Sequence, residues 1–80
     1  MHLEIITPDK KVYEGEVNSV ILPGTLGSFG ILNNHAPIIS TLTKGEIKII
    51  DKAQKTELFL IGGGVVEVIN NKISVLAENA

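Results

Sequence analysis

The segment VVEVINNKISVLA, residues 65–77, carries the clearest structural signal in the sequence. Two runs rich in valine and isoleucine flank Asn70 and Asn71. Asparagine is one of the few residues that tolerates the left-handed backbone conformation of a tight hairpin turn. The segment is therefore predicted to form an antiparallel hairpin. Glu67 lies within the first run, and we expect it on the solvent face because successive side chains of a strand point to opposite faces.

Short strand-like segments continue through the rest of the chain, separated by turn signals at close spacing. Proline at position 8 and the lysine-glycine pair at 44–45 are typical of turns between strands. Gly15 is predicted to interrupt a strand as a bulge, and the three glycines at 62–64 predict a sharp bend. The strand that Gly15 interrupts begins near Lys11, and the remaining predicted strands are residues 2–6, 16–22, 37–42, 46–50 and 55–61.

The strand predicted at residues 55–61 differs from the others because neither of its faces is polar for long. We therefore expect it to be buried on both sides, with Phe59 in the core. No helix of three turns is predicted anywhere. The fold class that follows is all-β, a small antiparallel β-sandwich or flattened barrel of about eight to ten short strands. Residues 1–80 are predicted to form a single domain.

Composition excludes several classes of protein. The chain has 80 residues and a net charge of −2, with no arginine and with scattered lysines, so nucleic acid is not an expected partner. The absence of cysteine excludes a disulfide framework and a thiolate zinc site, which favours a cytosolic compartment. No apolar run reaches the length of a transmembrane helix, so direct membrane insertion is not expected.

The stretch GTLGSFGILNNHAP, which begins at Gly24 and ends at Pro37, is unusual for a connection between strands. Its three glycines suggest a backbone with special conformations or close contacts. Connecting loops are normally polar, yet this one contains Leu26 and Phe29. We expect an ordered loop in which these two side chains either tuck back under the loop or are exposed and meet a partner.

No catalytic, metal or cofactor site is predicted. Ser28 and His35 are a conceivable nucleophile and base, but no acidic residue stands beside His35 to orient it. His2 is the only other histidine, and neither imidazole has a carboxylate at ligand spacing. The glycine-rich stretch lacks the lysine and the helix start of a phosphate-binding loop.

Taken in order, six short motifs resemble a known family: LEIITPDKKVYEGEV, VILPGTLGSFGIL, NNHAPII, KGEIKI, GGGVVEV and VLAE. Together they resemble the N-terminal β-sandwich domain of the epsilon subunit of F-type ATP synthases over nearly the whole chain. The resemblance implies a non-catalytic subunit of the central stalk, or rotor. Such a subunit links the gamma subunit to the membrane c-ring and couples proton flow to ATP synthesis. It is peripheral on the cytoplasmic face of a bacterial plasma membrane.

The resemblance also bears on the length of the chain and on its contact residues. Members of the family usually continue past the position of Ala80 into two helices, so nucleotide binding and inhibition by those helices are not expected. Asn33 and Asn34 replace a frequent Pro-Gly pair but can take tight-turn conformations. The implied c-ring contacts are Thr25, Leu26, Ser28, Phe29, Asn33, Asn34 and His35. The implied gamma-subunit contacts are Thr7, His35, Ala36, Ile38 and Ser40.

Two other functions stay open at this point. The first is a standalone β-sandwich that binds a peptide or a sugar through the stretch from Gly24 to Pro37. A sugar site would need exposed aromatic side chains, and the chain offers only Tyr13, Phe29 and Phe59. The second is an enzyme, which would require clustered titratable groups with perturbed pKa values.

Overall fold

The computed structural model describes residues 1–79, and these residues form eight β-strands. Ala80, the predicted end of the domain, lies outside the described residues. No helix in the described part is long and apolar enough to cross a membrane. The strands are β1 (His2–Ile6), β2 (Lys11–Gly24), β3 (Gly27–Leu32), β4 (Ile38–Leu42), β5 (Gly45–Asp51), β6 (Thr56–Ile61), β7 (Gly64–Ile69) and β8 (Lys72–Ala77).

The eight described strands form one continuous sheet that folds into two layers, called here the first and the second sheet. The long strand β2 belongs to both layers, and Gly24 at its end also pairs with Leu42 of β4. Its first half pairs with β1, and the first sheet continues from β1 through β8 and β7 to β4. Its second half pairs with β3 on one side and β5 on the other, and β6 completes the second sheet. Among the described strands every pairing is antiparallel except β1 with β8, which is parallel. The predicted β-sandwich class is confirmed.

Alternation along the strands places one apolar face of each sheet against the other. In β5, Ile47 and Ile49 are fully buried while their neighbours Glu46 and Lys48 are exposed. The same period of two recurs in the other strands, as expected for a sheet with one solvated face. Side chains that are fully buried in this way include Leu3, Ile5, Val17, Val20, Leu22, Ile31, Val66, Ile73 and Val75.

The predicted interruption at Gly15 is wrong, because Gly15 pairs regularly with Leu3 inside β2. The register shifts instead between Ile5 and Ile6 and again just after Val17. Glycine at position 15 makes room for an aromatic ring: a Cβ there would lie 3.0 Å from the Tyr13 hydroxyl oxygen. Burial, together with the charges of Glu57 and Asp51, raises the pKa of Tyr13 above its usual value.

The prediction that residues 55–61 are buried on both sides is also wrong. The strand β6 lies at an edge of the sheet, pairing with β5 alone among the described strands, and its outward side chains are exposed. Leu58 and Leu60 lie on this outward face, and Leu60 is 69% exposed. Phe59 points inward but is only half-buried, with its ring centroid 5.5 Å from that of Tyr13.

The predicted turns are confirmed. Asn70 and Asn71 form the two-residue turn between β7 and β8, with φ angles of 50° and 61°. Both positive angles match the hairpin turn whose twist suits the flanking strands. The first turn is closed by Thr7, whose main-chain N–H donates to the Lys10 carbonyl oxygen at 2.9 Å. Glu67 is exposed on β7, as the alternation predicts.

Candidate interaction surfaces

The stretch from Gly24 to Pro37 is a hairpin rather than the continuous loop that its glycines suggested. Residues 27–32 form β3, which is hydrogen-bonded to the second half of β2 from Ser19 to Gly24. A turn at residues 25–26 joins the two strands. The sequence does not predict this strand because glycine has a low strand propensity. The strand forms because its main-chain N–H and C=O groups make hydrogen bonds with β2.

The tip of this hairpin presents one apolar side chain on a braced support. Leu26 is fully exposed, which is one of the two predicted alternatives. Thr25 is held to β4, since its main-chain N–H donates to the Thr41 carbonyl oxygen at 3.2 Å and the two hydroxyl oxygens are 2.9 Å apart. Phe29 follows the other alternative and tucks back under the hairpin. Its ring is half-buried against the core and over Gly24, where a Cβ would lie 2.8 Å from Phe29 Cε1.

A second turn follows β3 at residues 32–35. The His35 main-chain N–H donates to the Leu32 carbonyl oxygen at 3.2 Å, and Asn34 has a φ of 62°, so asparagine takes the tight-turn conformation expected of it. The Asn34 main-chain N–H donates to Oδ1 of Asn71 at 2.8 Å. Nδ2 of Asn71 donates to Oδ1 of Asn33 at 2.9 Å.

The residues predicted to face the c-ring fall into two groups at opposite ends of β3. Thr25, Leu26 and Ser28 lie at the hairpin tip, and residues 33–35 lie at the second turn. A strand of six residues separates the groups by roughly 20 Å, at about 3.3 Å per residue. Both groups border the edge of β3, which pairs with β2 alone among the described strands. This separation also leaves Ser28 and His35 unable to act as a nucleophile and base.

The residues predicted to face the gamma subunit lie mainly on and beside β4. Ile38 and Ser40 point toward the interior side of the strand, and Ile38 packs against the core. The outward residue is Ile39, which is 73% exposed and was not predicted. Two consecutive isoleucines give no alternation signal, so the sequence alone could not show which of them faces outward.

The outer face of the first sheet carries an apolar strip from β4 to the first turn. Thr41, Val65, Leu76 and Ile6 are neighbours across consecutive strands, and Leu76 is exposed. At one end a shallow groove of about 340 Å³ is lined by residues 37–39 and 67–69. At the other end a groove of about 390 Å³ lies beside Thr7, which is itself only 8% exposed.

A charged cluster occupies the opposite margin of the same face. The Nδ1 and Nε2 atoms of His2 each lie 3.0 Å from a carboxylate oxygen, of Glu16 and Glu14 respectively. These hydrogen bonds raise the pKa of His2 above its ordinary value. Lys11 contacts Glu14 at 2.6 Å and Glu4 at 3.1 Å. The hydrogen bonds that Glu14 accepts from Lys11 and from His2 lower the pKa of Glu14. Within residues 1–79 no group of three or more suitable side chains could hold a metal ion.

The second sheet also has apolar residues on its outer face. Ile21, Leu32, Leu58 and Leu60 are all exposed there. None of them is aromatic, and the aromatic rings of the chain are half-buried against the core. A sugar site therefore lacks the exposed aromatic side chain that it would need.

The whole described sandwich, with its glycine-rich hairpin, matches one protein family. The family model of the ATP synthase delta/epsilon chain, β-sandwich domain, covers residues 1–80. The chain belongs to this family. The predicted resemblance is confirmed, and an ATP synthase epsilon chain is a subunit of an enzyme complex.

Similar proteins support the same assignment for this delta/epsilon domain. The ATP synthase epsilon chain of Campylobacter concisus is 42% identical over 80 residues, and that of Leptospira interrogans is 43% identical over 79 residues. The chain spans 62% and 61% of the lengths of these two relatives.

Solved structures share the fold at lower sequence identity. A chain of the Euglena gracilis mitochondrial ATP synthase, solved with its c-ring, matches with a TM-score of 0.88 and 18% identity, over 94% of this domain and 48% of that chain. A chain from the central stalk and c-ring of the Tetrahymena thermophila enzyme matches with a TM-score of 0.83 and 21% identity, over 99% and 63%.

Proposed function

We propose that this chain is the β-sandwich part of a rotor subunit in a rotary, proton-translocating ATP synthase. In this role it links the gamma subunit to the c-ring and couples proton flow to ATP synthesis, and it has no catalytic residues of its own. The observation that carries the proposal is the apolar outer face of the first sheet. The names of the relatives, all ATP synthase epsilon chains, support it.

We assign the gamma subunit to this outer face. A monomer rarely exposes a continuous apolar strip, and such strips typically mark contacts with another protein. Val65 and Leu76 pair directly across β7 and β8. Ile39 on β4 lies opposite Glu67 on β7 and diagonal to Val65, so one carboxylate lies within this mostly apolar face. The positions carried over from the family border it at both ends. These positions are Thr7, His35, Ala36, Ile38 and Ser40.

We assign the c-ring to the free edge of β3 and to the hairpin tip. Leu26 projects fully into solvent from a turn that Thr41 braces, so an apolar anchor is presented at little entropic cost. The edge of β3 brings both ends of the strand to one side of the domain, which a large flat partner could contact together. The proposed contacts are Thr25, Leu26, Ser28, Phe29, Asn33, Asn34 and His35.

The proposed place in the cell follows from these two partners. A domain that contacts both the gamma subunit and the c-ring is peripheral on the cytoplasmic face of a bacterial plasma membrane. The bacterial origin of the similar epsilon chains supports this assignment.

Replacing Ile39 by glutamate tests the gamma-subunit assignment. Because this side chain is exposed in the free domain, the stability should fall by no more than about 1 kcal/mol, the cost of a carboxylate opposite Glu67 on β7. A carboxylate at an apolar contact should weaken binding by at least about 2 kcal/mol, or roughly thirtyfold. The measurement is titration calorimetry with the purified gamma subunit of the same enzyme.

Leu58→Glu is the matched control for this experiment. Leu58 is also an exposed aliphatic residue, but it lies on the outer face of the second sheet. The Leu58→Glu variant should bind the gamma subunit with the same affinity as the unmodified chain. If Leu58→Glu abolishes binding and Ile39→Glu does not, the gamma subunit uses the other face and the assignment is wrong.

A further inference from the structure

One side chain ties the turn after β3 to the far end of the sequence. Asn71 lies in the turn between β7 and β8, yet its amide group contacts two residues near the middle of the chain. Its Oδ1 accepts a hydrogen bond from the Asn34 main-chain N–H at 2.8 Å, and its Nδ2 donates to Oδ1 of Asn33 at 2.9 Å. This amide therefore bridges two separate turns.

The chemistry of the bridge determines the orientation of the Asn71 amide. A main-chain N–H can only donate, so the atom that faces Asn34 must be the carbonyl oxygen of the amide. The NH₂ group then points to the Asn33 oxygen, which can only accept. Among side chains of this length, only the amide of asparagine supplies an acceptor and a donor in this arrangement while tolerating the φ of 61° at position 71.

The turn after β3 has few other supports. Its ends are joined by one main-chain hydrogen bond, from the His35 N–H to the Leu32 carbonyl oxygen at 3.2 Å, and Oδ1 of Asn33 also accepts a longer hydrogen bond from the Met1 ammonium at 3.3 Å. Asn33 and Asn34 are both exposed, and asparagine restricts the backbone less than proline does. The Asn71 amide adds two contacts at the residues that form the bend.

The position of Asn71 gives the bridge a consequence for binding. It follows β7, whose last residue, Ile69, lines the groove beside Ile39. The bridge thus holds the turn in a set place relative to the outer face of the first sheet. His35 belongs to this turn and to both predicted contact sets.

We infer that Asn71 is a positioning residue, which holds the turn at Asn33, Asn34 and His35 in the conformation that the rotor partners bind. This inference rests on the proposed function. Asn71 itself need not touch either partner. Its contribution is to remove the freedom that the turn would otherwise lose on binding, and preorganisation of this kind raises affinity.

The test compares Asn71→Gly with the matched control Asn70→Gly. Glycine accepts a positive φ at either position, so both variants keep the hairpin turn, and only the first removes the bridge. Thermal unfolding confirms that each variant is folded. The probes are the purified gamma subunit and the detergent-solubilised c-ring of the same enzyme. Asn71→Gly should lower the affinity for at least one probe about tenfold, and Asn70→Gly should stay within about twofold.

Hydrogen exchange at the Asn34 amide reports the bridge directly. Exchange should speed up in Asn71→Gly and not in Asn70→Gly, because only the first loses the acceptor. Asn71→Asp keeps an acceptor and tolerates the left-handed conformation, so it should restore slow exchange at Asn34 and part of the affinity.

Two outcomes would overturn the inference in different ways. Fast exchange at Asn34 together with unchanged affinity for both probes would show that the bridge does not serve binding, and would leave the proposed function intact. If the unmodified chain binds neither probe, the proposed function fails, and the role assigned to Asn71 fails with it.

Discussion

Replacing Gly64 by alanine should destabilise the domain more than any other glycine-to-alanine change at β3 or β7. Gly64 begins β7 and pairs with Ala77 on one side and Leu42 on the other, so it joins three strands of the first sheet. Its φ is 151°, a conformation that side chains rarely adopt. A Cβ there would overlap the Leu76 carbonyl oxygen and lie 3.0 Å from Ala77 Cα.

The size of the effect follows from these contacts. A backbone held in a conformation that suits only glycine costs about 1–3 kcal/mol. The overlap with Leu76 forces the strands apart, and each ladder hydrogen bond weakened in this way costs about 1 kcal/mol. Alanine recovers about 0.4–1 kcal/mol by restricting the unfolded chain. The net loss is about 2–4 kcal/mol, against a free energy of unfolding of about 4–12 kcal/mol for a domain of this length.

Two further glycines allow the cost of backbone strain to be measured apart from the cost of the steric overlap at Gly64. Gly27 has a φ of 126°, but nothing lies within 4 Å of a Cβ there, so Gly27→Ala should cost only about 1–2 kcal/mol of strain. Gly30 has an ordinary φ, and its nearest neighbour would be 3.8 Å away. Gly30→Ala should therefore be neutral or stabilising by about 0.5 kcal/mol.

The assay is urea unfolding and thermal unfolding, both monitored by circular dichroism because the chain has no tryptophan. The expected order of destabilisation is Gly64→Ala, then Gly27→Ala, then Gly30→Ala, and Gly64→Ala should lower Tm by at least about 8 °C. Equal losses for Gly64→Ala and Gly27→Ala would refute the reasoning, because the overlap with the Leu76 carbonyl would then contribute nothing.

Two more predictions concern the charged cluster and the hairpin tip. The pKa of His2 is raised above 6.5, so the stability that protonated His2 contributes is complete below pH 6.5 and is lost as pH rises through the raised pKa. The pKa of Glu14 is lowered from 4.5, so the stability that ionised Glu14 contributes is lost as pH falls through the lowered pKa. The free energy of unfolding measured with urea should therefore be largest at a pH between these two pKa values, and His2→Gln should remove its decline on the alkaline side. An unchanged pH profile in His2→Gln would contradict this account. Leu26→Ser should weaken c-ring binding at least about fivefold without changing Tm, in pull-down titrations with solubilised c-ring, whereas Leu58→Ser, at an exposed leucine on β6 away from β3, should leave both unchanged. Equal binding by the two variants would show that the tip is not an anchor.

Much of the fold could be predicted because it depends on local signals. The alternation of isoleucine with charged residues in β5 agrees with the burial of Ile47 and Ile49, and the asparagine pair at 70–71 identified the last hairpin. The errors share a cause. Glycine-rich β3 has little intrinsic strand preference, and its pairing with β2 is what makes it a strand. The outer face of β6 looks buried in sequence because it carries leucines, yet Leu58 and Leu60 are exposed in the structure.

The candidate surfaces were less accessible to prediction. The exposure of Leu26 followed from an apolar residue in a turn, and the carried-over positions came from the resemblance. Ile39 was missed because Ile38 beside it is identical in chemistry, and only the pairing of β4 with β7 shows which of the two faces outward. Ser28 and His35 are close in sequence, but β3 separates them.

The sequence by itself determined the strands with clear alternation, the tight turns, the absence of a thiolate site and the family, since each depends on residue type and spacing along the chain. Only the tertiary structure decided that β2 joins two sheets, which strands lie at an edge, and which apolar residues form a continuous outer face. The bridge from Asn71 to Asn33 and Asn34 belongs to this second group. Contacts between distant segments depend on how strands pair in space, and local sequence patterns do not encode that pairing.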